Sequence, residues 1–195
     1  MKKMLALLLA AVLLACAVPA AGASEASGET ERVEIEEYTW KEALDAISVQ
    51  MWEGIRYTQK DCKLKYWAPV TMVKAELTEE ANQAGYFAYF VSIDDSLTLM
   101  VTRSTAVVTL EDFQEELEEY GAKDMRVQNI NGVDWLLYED PIASQKPRSS
   151  DDYGLRCLVA ALPTEQGVVE FVFYVCSEDA AYTADVIMAS IEPVE

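Results

Sequence analysis

Apolar positions along the chain recur with two different periods, and each change of period marks out an element. Spacing of three and four appears first after Thr39, where Trp40, Ala43, Leu44, Ile47 and Met51 fall on one helical face. Thr39 is placed as N-cap, and Glu42 three residues on completes a capping box. Alternation then takes over. Residues 54–60 and 62–67 read as a hairpin, with Cys62, Leu64 and Tyr66 facing one way and Lys63, Lys65 and Trp67 the other, until Pro69 stops the second strand. A brief helical turn at 76–80 is ended by Gly85.

The rest of the pattern is sharper. Residues 86–92 and 97–103, rich in aromatic and β-branched side chains, flank the turn Ile93-Asp94-Asp95-Ser96. A helix follows, with Thr109 as N-cap, Val108 and Phe113 as a hydrophobic staple, and Gly121 as its stop. It turns Leu110, Phe113, Leu117 and Tyr120 to one side and its glutamates to the other. Residues 123–130 and 133–138 flank Asn131-Gly132, the strongest two-residue hairpin signal. Residues 139–152 read as a long exposed loop. Two nearly continuous apolar runs, 155–162 and 168–176, read as central strands covered on both faces. A last helix begins after Ser177 and turns Ala180, Ala184, Ile187 and Ile191 inward. Hairpins interleaved with single helices predict an α+β domain: a mostly antiparallel β-sheet with helices packed on its faces.

The N-terminus has a different logic. Lys2 and Lys3 precede the apolar run 5–14, and Pro19 precedes the small-x-small site Ala21-Gly22-Ala23, as in a secretory signal peptide over residues 1–23. Leu13-Leu14-Ala15-Cys16 also resembles a bacterial lipobox, so lipidation at Cys16 is the competing expectation. Residues 24–38, rich in glutamate, read as an acidic flexible tether, leaving 39–195 as the single folded domain. No later run is long enough to span a bilayer. An exported chain meets oxidising surroundings, so a disulfide among Cys62, Cys157 and Cys176 is one expectation; buried small hydrophobes on strands is the other.

Composition removes whole classes of chemistry. With no histidine among 195 residues, no Ser-His-Asp triad, Cys-His dyad or His-ligated zinc can be built. The formal charge of -19 becomes -21 if cleavage after Ala23 removes two lysines and no acid, and this argues against a nucleic-acid partner. Serines such as Ser104 and Ser144 lie in no nucleophile motif, and no Gly-rich phosphate loop occurs. Carboxylate pairs do occur, at Asp94-Asp95, Glu139-Asp140 and Asp151-Asp152, all in turns or loops where solvated acids are ordinary. They leave a carboxylate-based hydrolase or a divalent-metal site as the alternative function, although no EF-hand-type loop is present.

Several short motifs in order, Trp67-Ala68-Pro69, Glu76-Leu77-Thr78-Glu79-Glu80, Gly85-Tyr86, the capped helix from Leu110, Ile130-Asn131-Gly132, residues 167–174 and Ile187-Met188-Ala189-Ser190-Ile191, together resemble small exported bacterial domains with a PsbP-like fold. The resemblance spans about residues 40–193. It implies an α/β/α sandwich and a role in binding partners, and it carries no catalytic motif, cofactor or transferable site residue.

The expectation for function is therefore an exported, monomeric, non-enzymatic module, without a cofactor, that docks a protein or cell-envelope component. A lipid-anchored envelope assembly factor is the variant in which Cys16 is modified. The expected docking patch is Arg56, Lys60, Lys63, Lys65 and Trp67, where cations gather against the overall charge with aromatic residues between them. Its rival reading is an edge hairpin protected by lysines. The 139–152 loop is the second candidate surface.

Overall fold

Turn chemistry decides where the strands fall in a computed structural model that describes residues 31–34, 53–145 and 153–194. The signal segment, Cys16, the helix expected from Thr39, and Asp151-Asp152 lie outside the described residues. In chain order the elements are β1 (Glu31–Glu34), β2 (Glu53–Gln59), β3 (Leu64–Pro69), β4 (Met72–Lys74), α1 (Glu79–Gln83), β5 (Tyr86–Ser92), β6 (Leu97–Arg103) and α2 (Leu110–Tyr120). Then come β7 (Lys123–Ile130), β8 (Val133–Glu139), β9 (Arg156–Thr164), β10 (Gly167–Val175), α3 (Glu178–Ala189) and β11 (Glu192–Pro193).

Among the described residues every strand pair is antiparallel. The strands form two sheets rather than one. The larger runs β4-β5-β6-β10-β9-β8-β7, with the two apolar strands β9 and β10 inside it, as their lack of alternation requires. The smaller runs β1-β2-β3-β11. Strand β1 lies within the segment expected to be a tether. Its backbone pairs with β2, Glu31 opposite Arg56 and Val33 opposite Gly54, because a strand edge takes a backbone partner whatever its composition. The strands β4 and β11 are not legible in the sequence, being only three and two residues long.

Two apolar layers flank the large sheet. On one face, Leu64, Tyr66 and Trp67 of the small sheet and Ala180, Ala184 and Ile187 of α3 pack on Phe90, Leu99, Phe171 and Phe173. Tyr66 and Trp135 each meet the Phe171 ring edge-on, with centroids 5.0 and 5.7 Å apart. Truncating Phe171 to alanine would cost about 3–5 kcal/mol. On the other face, Phe113 and Leu117 of α2 pack on Leu136, Tyr138, Cys157, Val159, Ala161 and Val168. The result is an α+β arrangement with helices on both sides of an antiparallel sheet.

The helix ends follow their caps. Thr109 Oγ1 accepts from the Asp112 amide at 3.1 Å, and Gly121 closes α2 in the left-handed region at φ 86°. Ser177 Oγ accepts from the Ala180 amide at 3.1 Å at the start of α3. A bulge between Tyr86 and Ala88 changes which face β5 presents. Ala88 pairs with Val101, whereas Tyr86 pairs with Thr102, so Tyr86 is carried to the α2 side of the sheet.

Candidate functional site

The expected docking patch separates into three parts. Arg56 lies opposite Trp67 and Lys65 opposite Thr58, so all share one face of the small sheet. Arg56 and Lys65 both reach Glu192 Oε2, at 3.5 and 2.8 Å, and this acid on β11 satisfies them internally. Trp67 is not a surface residue: it is 2% exposed. Its backbone N–H donates to Ser190 Oγ at 2.9 Å, and its indole lies over Gly54. Trp67 thus leaves the patch for the core, since an indole gains more by burial than a rim position offers.

Lys60 and Lys63 remain, both exposed, at the hairpin tip. No acid lies within ion-pair distance of either among the described residues. The tip is a 3₁₀ turn over Lys60–Cys62, closed by Lys63 in the left-handed region at φ 51°. It is braced from outside. Arg103 Nη1 donates to the Asp61 carbonyl at 3.0 Å and to Gln166 Oε1 at 3.1 Å, with its guanidinium 5.1 Å from the Phe87 ring centre.

The stem of the 139–152 loop is similarly tied down. Arg156 donates to Glu139 Oε2 through Nε at 3.0 Å and Nη2 at 2.8 Å, and to Tyr153 Oη at 3.3 Å. Asp140 Oδ1 accepts from Tyr120 Oη at 3.1 Å and from the amides of Ile142 and Ala143 at 2.8 and 3.0 Å. Gln145 and Leu155 close the stem with a β-bridge.

Three acids of the candidate pairs, Glu139, Asp140 and Asp94, therefore have structural occupations. Asp94 accepts from Ser92 Oγ at 2.6 Å and from Ser96 Oγ and N at 2.8 and 3.2 Å, which holds its carboxyl down at about 2. Among the described residues no group of three or more Cys, Asp or Glu side chains converges as metal ligands would. Cys62 and Cys157 stand as thiols, on the hairpin tip and under α2, and Cys176 lies exposed just beyond β10. Burial pushes the Cys62 thiol up to about 11 and the Cys157 thiol further up, so neither is an activated nucleophile.

One polar cluster was missed from the sequence. Glu170 lies in the middle of β10, 9% exposed, on the same side of the strand as Val168, Val172 and Tyr174, which is the α2 side. Tyr138 Oη donates to its Oε1 at 3.1 Å. Thr102 sits directly opposite Glu170, and Tyr86 directly opposite Thr102. The hydroxyls of Tyr86 and Thr102 are buried, and among the described residues neither makes a hydrogen bond of full geometry, although Thr102 lies close enough to Glu170 to act on its carboxyl. Burial raises the Glu170 carboxyl to about 6; the Tyr138 bond pulls it down, the charge of Asp140 pushes it up, and the nearby Thr102 hydroxyl pulls it down. The signal for it was a single acid inside an otherwise apolar strand, a position that burial makes costly.

No family model matches the chain. A curated phosphoribosylamine–glycine ligase from Thermococcus gammatolerans is 32% identical over 102 residues, which is 48% of this chain and 22% of that protein. The chain thus spans under a quarter of the ligase's length. Among solved structures, a protein from Bacteroides thetaiotaomicron matches with TM-score 0.51 and 14% identity, over 72% of this chain and 48% of that one. That likeness is one of fold alone. The similar solved structures also include cyanobacterial PsbP from Synechocystis, at TM-score 0.45 and 14% identity, over 71% of this chain and 91% of that one. The architecture itself, with helices on both faces of an antiparallel sheet, is the α+β one expected. Among the described residues no helix is long and apolar enough to cross a membrane.

Proposed function

We propose that the chain is an exported, non-enzymatic binding module that docks an acidic protein or anionic envelope component through the tip of its first hairpin. One observation carries this reading: a braced turn presents Lys60 and Lys63 outward, unpaired with any acid among the described residues, in a chain of net charge -19. A pre-ordered turn loses little conformational freedom on binding, and two unpaired lysines favour an anionic surface. Export rests on the basic start, the apolar run and the small-x-small site of residues 1–23.

The double reversal Lys60→Glu/Lys63→Glu is expected to abolish capture of the partner from envelope extract, with wild-type capture weakening as salt rises. Reversal of Lys65 tests stability instead, since its charge is already matched by Glu192. Capture that survives the double reversal would count against the tip as the docking surface. Mass measurement of the mature N-terminus distinguishes a released chain beginning at Ser24 from one diacylated at Cys16.

A further inference from the structure

We propose that Glu170, with the hydroxyls of Tyr138, Thr102 and Tyr86 around it, is a buried proton-binding site that controls how tightly the α2 layer closes on the sheet. Geometry carries this. The carboxyl is buried in a central strand, accepts a hydrogen bond from Tyr138, and has no lysine or arginine within ion-pair distance among the described residues. A buried carboxylate lacking a counter-charge either takes up a proton or draws in water. Water comes from the α2 side, because the strand's opposite face packs into the Phe90–Phe171–Phe173 core.

The groups that face Glu170 reinforce the choice. From β8 and its end come Tyr138 and Asp140, from β9 Cys157, from β5 Tyr86, and from β6 the Thr102 hydroxyl; none is basic. Asp140 is itself bonded to Tyr120 at the end of α2, which ties the helix to this cluster. When protonated, Glu170 gains an O–H facing the neighbouring hydroxyl oxygens; when ionised, it needs every donor they can offer. The raised carboxyl, about 6 against 4.5, agrees with the geometry. The folded chain then holds more protons than the unfolded one between those values. Closure therefore strengthens as pH falls through that window and is weakest above about 6.

Hydrogen exchange of the α2 amides at pH 5 and pH 7.5, corrected for intrinsic rates, reads the layer directly. If opening restores an ordinary carboxyl, protection falls by about 8-fold between the two, out of the roughly 30-fold that 1.5 pH units allow over the whole titration. In Glu170→Gln that dependence disappears. A carbon-13 titration of Glu170 places its midpoint near 6, and Tyr138→Phe, which removes the donor, moves it upward even if the glutamine variant misfolds. A midpoint at or below 4.5, or pH-dependent protection that survives in Glu170→Gln, overturns the proposal.

Discussion

The indole of Trp67 occupies the space that a β-carbon on Gly54 would need. The two lie on neighbouring strands, Gly54 opposite Pro69 and Arg56 opposite Trp67, so the ring reaches diagonally across the ladder onto the bare backbone. A methyl group at position 54 must displace a ring that is 2% exposed. Gly54→Ala should therefore cost about 1–3 kcal/mol by chemical denaturation, as overpacking does. In a Trp67→Leu background the same change should cost much less, and additive costs would remove the steric explanation.

Asn131 does two jobs at once. At φ 50° it supplies the first left-handed position of the β7–β8 turn, and its Nδ2 donates to the carbonyls of Ala189 and Ile191 at 3.1 and 2.8 Å. Asn131→Gly keeps the turn and loses the tie, and is expected to cost about 1–2 kcal/mol. Asn131→Ala adds left-handed strain and should cost about 1 kcal/mol more. Equal stability of the glycine variant and the wild type would show that the tie contributes nothing.

Asp94 should titrate near 2, below its ordinary 3.8, because three hydrogen bonds from Ser92 and Ser96 favour the charged form. Its contribution to stability is complete above the ordinary value and is lost as pH falls towards 2. The stability gap between wild type and Asp94→Ala should accordingly be present at pH 7 and close below pH 2. A gap that persists unchanged in acid would assign the effect to the turn backbone instead.

Thiol reactivity reads how well α2 and the hairpin tip seal what lies beneath them. Cys157 is 1% exposed and its thiol is pushed up by burial and by the charges of Asp140, Glu170 and Glu139, while Cys62 is raised to about 11. Alkylation with iodoacetamide at pH 8, read by mass spectrometry, should leave both unmodified in the native protein and label both after unfolding. Labelling of native Cys157 at the unfolded rate would show that α2 does not seal that face.

Much of this architecture was written locally. The hairpins around Asp94-Asp95 and Asn131-Gly132, and the helices behind Thr109 and Ser177, stand within a residue of where turn and cap residues put them. Such signals act over two to four residues and need no distant partner. The absence of histidine likewise excludes a body of catalytic chemistry whatever the fold.

The candidate site was legible only in part. Lys60 and Lys63 stay exposed because the hairpin tip is local, but Arg56 and Lys65 meet an acid more than a hundred residues away on a two-residue strand. Alternation alone puts Trp67 outward with the lysines, yet Ser190 and Gly54 hold it inside. Glu170 was hidden for a related reason: its neighbours Thr102 and Tyr138 come from other strands, and Tyr86 reaches the same face only through a bulge. Short-range chemistry settles turns, caps and helix faces, because those hydrogen bonds close within a few residues. Which polar groups meet in the interior, and what charge they can carry there, depends on strand order and burial, and those exist only once the chain has folded.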